Sequence, residues 1–189
     1  MKLTNFILAS IIMLSGHLMY AQKAEVNTEK SHIEWIGKKI GGQHEGTIQL
    51  KSGYFDLKDD KIVSGNFIVD MTTMTNTDLK DEGYNQKLIG HLKSDDFFGV
   101  EEYPTATFVV TESSRFSNGK ATVSGNITIK NKTENISFVV ERKGNEYTIR
   151  IDIDRSKFDV RYGSNSFFDN LGNKAIDDIF TLDITLVVN

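Results

Sequence analysis

The sequence predicts an all-β protein, an eight-stranded antiparallel barrel with a short helix near one mouth. Three observations carry that expectation. Apolar and polar residues alternate at period two through most of the chain, which marks strands with one buried and one wet face. One proline stands against 15 glycines, as suits a β-rich chain, because proline removes a ladder donor while glycine serves turns and bulges. The alternation also resolves into eight strands with no internal repeat. Eight strands close into a barrel whose interior holds side chains or one small ligand, and closure removes the edges of a long sheet. An open two-sheet sandwich satisfies the same periodicity and remains the alternative fold.

Residues 1–21 read as a secretory leader. Lys2 makes the start positive, Phe6 to Leu14 is apolar but too short to span a membrane, and Ala21 offers a small residue before a cut at Ala21-Gln22. Residues 22–189 then form a single domain, exported to the periplasm or secreted. The first strand, Ser31 to Ile40, points Ile33 and Trp35 one way, and Gly41-Gly42 turns it. The second, Gly46 to Leu57, carries Ile48 and Leu50 on one face, with Gly53 as a bulge or bend. Lys58 to Lys61 is a polar hairpin loop. In the third, Ile62 to Met74, Val63, Phe67, Val69 and Met71 share a face.

Tyr84 to Val110 breaks the alternation. Leu88, Ile89 and Leu92, then Phe97 and Phe98, suggest a short helix running into an aromatic turn. Tyr103-Pro104 ends it, because proline fixes its own φ and pushes the preceding residue out of the α region. The helix and turn are expected to lid one end of the barrel over an apolar cavity. Strand four follows at Thr105, with Ala106, Phe108 and Val110 on one face. Asn118-Gly119 marks a hairpin. Strand five runs from Ala121 to Ile129, strand six carries Ile136, Phe138 and Val140, and strand seven Tyr147, Ile149, Ile151 and Ile153. A second break, Arg155 to Lys174, scatters Phe158, Phe167 and Phe168 among small residues as a long loop. The last strand runs from Asp178 to Val188.

Composition excludes several functions. There is no cysteine, hence no disulfide, thiolate metal site or thiol nucleophile. A net charge of −4 without a basic run argues against nucleic acid as a partner. No cofactor fingerprint, nucleophile elbow or phosphate-cradling glycine loop appears, and His32, His44 and His91 lack metal-ligand spacing. The acidic pairs, such as Asp59-Asp60 and Asp95-Asp96, sit in turns or alternate across a strand and make poor catalytic dyads. No enzyme, cofactor or metal is expected. His91 near the helix end reads first as a cap or a structural hydrogen bond, and second as a ligand contact.

What remains is an apolar lining. Trp35, Phe67, Val69, Met71, Phe108, Phe138 and Ile149 come from the strands. Leu88, His91, Leu92, Phe97 and Phe98 come from the lid, and Phe158, Phe167 and Phe168 from the late loop. Phenylalanine and methionine line apolar pockets without polar demands. Together these residues are the candidate lipid-binding set.

GHLKSDDFF (90–98), YPTATF (103–108), SGNITIKNKT (124–133) and RSKFDVRYG (155–163), in that order and with a closing apolar strand, resemble the YceI family. These are polyisoprenoid-binding, lipocalin-like proteins of bacterial periplasms. The resemblance implies an eight-stranded barrel whose tunnel holds a long isoprenoid or quinone tail. Where that family carries an Arg-Asp pair before the helical His-Leu, this chain has Leu88-Ile89, which makes the lid more apolar. The function so implied is binding of a long-chain isoprenoid or similar amphiphile, for carriage, storage or stress response. The alternative is a stress-response or interaction protein with a filled barrel and no lipid. A two-fold homodimer, the commonest soluble assembly, stays open.

Overall fold

The computed structural model describes residues 21–189; the expected leader, apart from Ala21, lies outside them. The strands are β1 (Gln22–Glu25), β2 (His32–Lys39), β3 (Gly42–Lys58), β4 (Lys61–Asp70), β5 (Thr105–Ser113), β6 (Lys120–Ile129), β7 (Lys132–Lys143), β8 (Glu146–Asp154) and β9 (Ile176–Val187), with one α-helix, α1 (Glu82–Lys93), between β4 and β5. Strands β2 to β9 pair antiparallel in chain order, and β9 returns to β2, closing an eight-stranded barrel. The sandwich alternative is thereby excluded.

The ninth strand, β1, was not legible in the alternation. It pairs with the second half of β3 (Gln22↔Leu57 to Glu25↔Tyr54), while β2 pairs with the first half (Lys39↔Gly42 to Ile33↔Ile48). Thus β1 and β2 occupy one course of the wall, broken at residues 26–31. Main-chain bonds Asn27 N to Val187 O (2.7 Å) and Asn189 N to Glu25 O (3.1 Å) tie the break to the end of β9. The long β3 bends at Lys51, where its register against β4 shifts.

A second shift, between Asp56 and Leu57, corrects one face assignment. It leaves Val63 opposite no residue, so Ile62 turns inward at 5 % exposure while Val63 faces solvent at 43 %. A single bulge reverses side-chain parity along the rest of a strand, which alternation alone does not reveal.

The barrel has two unlike ends. At one, the β3–β4, β5–β6 and β7–β8 hairpins gather around Phe55, Tyr147 and Phe116, which pack edge to face at 4.9 and 6.1 Å. This is a filled floor. At the other end lie the tight β2–β3 and β6–β7 turns and the two long connections, 71–104 and 155–175, which form a roof. Residues 74–78 run against the start of β3, with Thr75 N to Thr47 O and Thr77 N to Glu45 O both 2.9 Å. The approach requires Gly46, where a Cβ would lie 1.9 Å from the Thr75 carbonyl oxygen.

One wall is incomplete. β7 and β8 pair only from Lys143↔Glu146 to Val140↔Ile149. Beyond that, Lys132–Val139 and Arg150–Asp154 face each other without a ladder, although each is fully paired on its other side. Main-chain N–H and C=O groups are not left dry and unpaired, so those facing this seam must be met by side chains or water in place of a ladder. Amides of β7 and β8 that face the seam should therefore exchange hydrogen at least ~100-fold faster than those of the β8–β9 ladder, as expected for local rather than global opening. Equal protection in an exchange experiment would mean that the ladder closes in solution.

Candidate functional site: an apolar tunnel under a helical lid

The inward residues enclose a cavity of about 390 Å³ that runs from the floor to the roof, within the range of small-molecule sites. Its wall is almost wholly apolar. Phe67, Phe108 and Phe138, from β4, β5 and β7, form a continuous aromatic strip with ring centroids 6.3 and 5.3 Å apart. Trp35, Val69, Met71 and Ile149 also line the space. The Trp35 indole is fixed by its Nε1–H, which donates to Thr75 O at 3.0 Å.

The roof is built in three pieces. α1 starts earlier than its apolar residues suggested, because Asp81 caps it, its carboxylate accepting from Tyr84 N at 2.9 Å. Leu88, His91 and Leu92, at i, i+3 and i+4, then point into the cavity from one face. No residue of α1 is fully buried, so the helix lies over the opening instead of forming part of the core. The turn that follows seats Phe97 (6 % exposed) and Phe98 against one another, ring centroids 5.1 Å apart. Lys130 Nζ from the β6–β7 turn donates to Phe97 O at 2.9 Å and holds that turn down.

The third piece hangs on Arg155, a residue that sequence reasoning missed. Its side chain is 2 % exposed. Nε donates to Asp177 O (3.0 Å), Nη1 to Val160 O (2.8 Å) and Tyr162 O (2.9 Å), and Nη2 to Ile176 O (3.1 Å), with Asp178 Oδ1 3.3 Å from Nη2. Burial pushes the guanidinium pKa down, and Asp178, Asp177 and Asp154 counter it. Four of the five N–H donors of the guanidinium thus stitch 155–162 to the start of β9, and Asp178 adds an ion pair. Nothing in the alternation distinguished this arginine from a surface one.

The late loop departs from expectation in a second way. Phe158 is 1 % exposed but packs in the core beneath the loop, outside the cavity lining. Phe167 and Phe168 are 39 % and 49 % exposed and face outward. The carbonyls that Arg155 gathers direct the chain so that Tyr162 and Ile176, rather than the Phe pair, border the cavity. The other twelve residues of the candidate set all line it.

The opening lies at the roof, where Lys38, Lys39, Tyr162 and Asp177 are exposed and also border the cavity. His44 sits on the same rim, with Nδ1 2.8 Å from Asp78 Oδ2. Burial works to raise the Asp78 carboxyl, but hydrogen bonds from the Glu45 amide, His44 and Asn76 bring it down to about 2. The pair fastens segment 74–78 to β3. Among the described residues no group of three or more His, Asp or Glu could hold a metal ion, and no helix is long and apolar enough to cross a membrane.

The model of the YceI-like domain matches residues 25–188, from β1 to the last strand. The chain belongs to the YceI family. Among solved structures, it is similar to BcnA of Burkholderia cenocepacia, at 26 % identity and a TM-score of 0.64, over 87 % of this chain and 99 % of that one. A polyisoprenoid binding domain from Saccharophagus degradans, implicated in plant cell wall breakdown, shares the fold at 13 % identity and a TM-score of 0.59, over 88 % and 97 % of the two chains. A Campylobacter jejuni YCEI protein shares it at 17 % identity and a TM-score of 0.54, over 99 % of both. No curated protein matches the chain. The closed barrel and its apolar interior are thus those of a YceI-family member.

Proposed function

We propose that this protein binds a long isoprenoid, quinone-type or similar amphiphilic lipid, tail inward, and carries or stores it in the periplasm without chemical change. One observation carries the reading: a barrel interior left open and lined almost wholly by apolar side chains from floor to roof. Each methylene-sized group moved from water into such a space contributes about 0.8 kcal/mol, so a tail of several isoprene units binds by area. The twelve lining residues named above are the proposed tail contacts, and Leu88 in the lid adds area where a charged residue would add a headgroup contact. The expected leader supports export, and the polyisoprenoid-binding relative supports the ligand class. The floor aromatics and the roof opening orient the ligand, with its tail end at Phe55 and Tyr147. An open interior disfavours the filled-barrel alternative.

The test is native mass spectrometry, with lipid extraction, on protein purified from its own host without detergent. A bound amphiphile with a long apolar chain is expected. Protein that emerges empty, and that also takes up no prenyl alcohol in vitro, would exclude the proposal.

A further inference from the structure

His91 Nε2 is buried, and no group among the described residues lies within hydrogen-bond distance of it. The expected capping role is absent: the His91 backbone carbonyl accepts from Ser94 N and Oγ at 3.1 and 2.8 Å, and its ring makes no hydrogen bond. The ring is nonetheless held. Tyr162 meets it edge to face at 4.3 Å and Phe97 at 5.8 Å. The same ring borders the cavity. A buried polar atom without a partner is costly and rare, and here the ring that carries it borders the space a ligand would fill.

The other polar groups near the tunnel are committed or lie outside. Arg155 gives four donors to main-chain carbonyls and is ion-paired with Asp178. Trp35 donates to Thr75 and His44 pairs with Asp78. Lys38 and Lys39 are exposed at the rim. An ionised head drawn in beside His91 would meet no free counter-charge, because Arg155, which borders the cavity, is already matched by Asp178, Asp177 and Asp154, and apolar surroundings penalise an unpaired buried charge heavily.

Resting on the tail-binding reading, we infer that His91 is the specificity-determining residue of the tunnel: its Nε2 hydrogen-bonds the single polar atom of an uncharged head, an alcohol or carbonyl oxygen, beneath α1. Imidazole suits either, since one ring nitrogen donates and the other accepts according to tautomer. The ligand's head then sits under the lid, and its tail runs to the floor. The lid grips by area and His91 reads the end.

The test compares three probes that share one chain: geranylgeraniol, the hydrocarbon in which hydrogen replaces its hydroxyl, and geranylgeranyl phosphate. Trp35 is the only tryptophan and lines the same cavity, so its emission reports occupancy. Wild type should bind the alcohol about tenfold more tightly than the hydrocarbon, the worth of one buried hydrogen bond, and the phosphate more weakly than the alcohol. His91→Leu should bind both uncharged probes alike, with hydrocarbon affinity kept. His91→Gln, which can still donate and accept, should retain most of the preference. An unchanged alcohol preference in His91→Leu overturns the inference, as does tight, His91-dependent binding of the phosphate. If His91→Leu binds neither probe, His91→Gln decides: a kept preference supports the assignment and a lost one overturns it. Failure of wild type to bind either uncharged probe removes the tail-binding reading itself, and this inference with it.

Discussion

Ala106→Phe should lower affinity for a prenyl alcohol by about 100-fold and leave the fold intact or slightly more stable. Ala106 is 8 % exposed, pairs with Val69 across β4–β5 and borders the tunnel next to the Phe67–Phe108 pair, on the roof side of the strip that a tail would follow. A benzyl group there takes the place of three or four methylene-sized groups, about 3 kcal/mol of apolar transfer, which is roughly a factor of 100 in affinity. The stability arm distinguishes the two functional readings. Overpacking a filled core costs 1–3 kcal/mol in typical cases, whereas filling an open cavity restores contacts. Titration of Trp35 fluorescence gives the affinity and urea denaturation the stability. A variant that loses more than about 2 kcal/mol and keeps its affinity would place Ala106 in packed core and empty the tunnel argument.

Arg155→Met should destabilise the protein by about 4 kcal/mol, the largest effect expected for a single side chain outside the strands. Methionine fills a similar volume, so packing against Phe97, which the guanidinium faces at 5.2 Å, is largely kept. What is lost is the stitch. The carbonyls of Val160, Tyr162, Ile176 and Asp177 lose their donor, and Asp178 its cation. Breaking a buried charge from its partners typically costs 3–5 kcal/mol, because the groups left behind remain desolvated. Part of that cost is relieved if residues 159–175 lift into water, so limited proteolysis should cut there first. Arg155→Lys should fare little better, since one ammonium cannot serve four carbonyls arranged for a planar fork. Denaturant midpoints within about 1 kcal/mol of wild type would show that the loop is held by other contacts.

Both effects trace to features of different legibility. The alternation in β6 and β8 places Ile127, Ile129, Ile149 and Ile151 indoors, and the structure agrees for each. Period two is a local property, because successive side chains leave opposite faces of a strand whatever lies beyond. The lid was legible for a similar reason: Leu88, Leu92, Phe97 and Phe98 break the period, and the only proline ends the break. Such residues, amphipathic on a segment that is no strand, must cover something.

Where local pattern failed, a non-local contact had decided. Val63 faces outward because a bulge set by pairing with β3 reverses its parity. Phe167 and Phe168 look like lining in the sequence and lie outside, because Arg155 draws its carbonyls from residues up to 22 positions away.

The sequence by itself determined an all-β chain, its number of barrel strands, the position of the lid and the apolar character of the interior. Each follows from propensity and periodicity within a few residues. Only the tertiary structure decided that the first wall course is split between β1 and β2, that the β7–β8 ladder stops short, that Arg155 is buried and that the His91 ring borders the tunnel with its Nε2 unpartnered. Those outcomes depend on register and closure, which join residues far apart in the chain, and on which polar groups remain unpaired once every other hydrogen bond has been made.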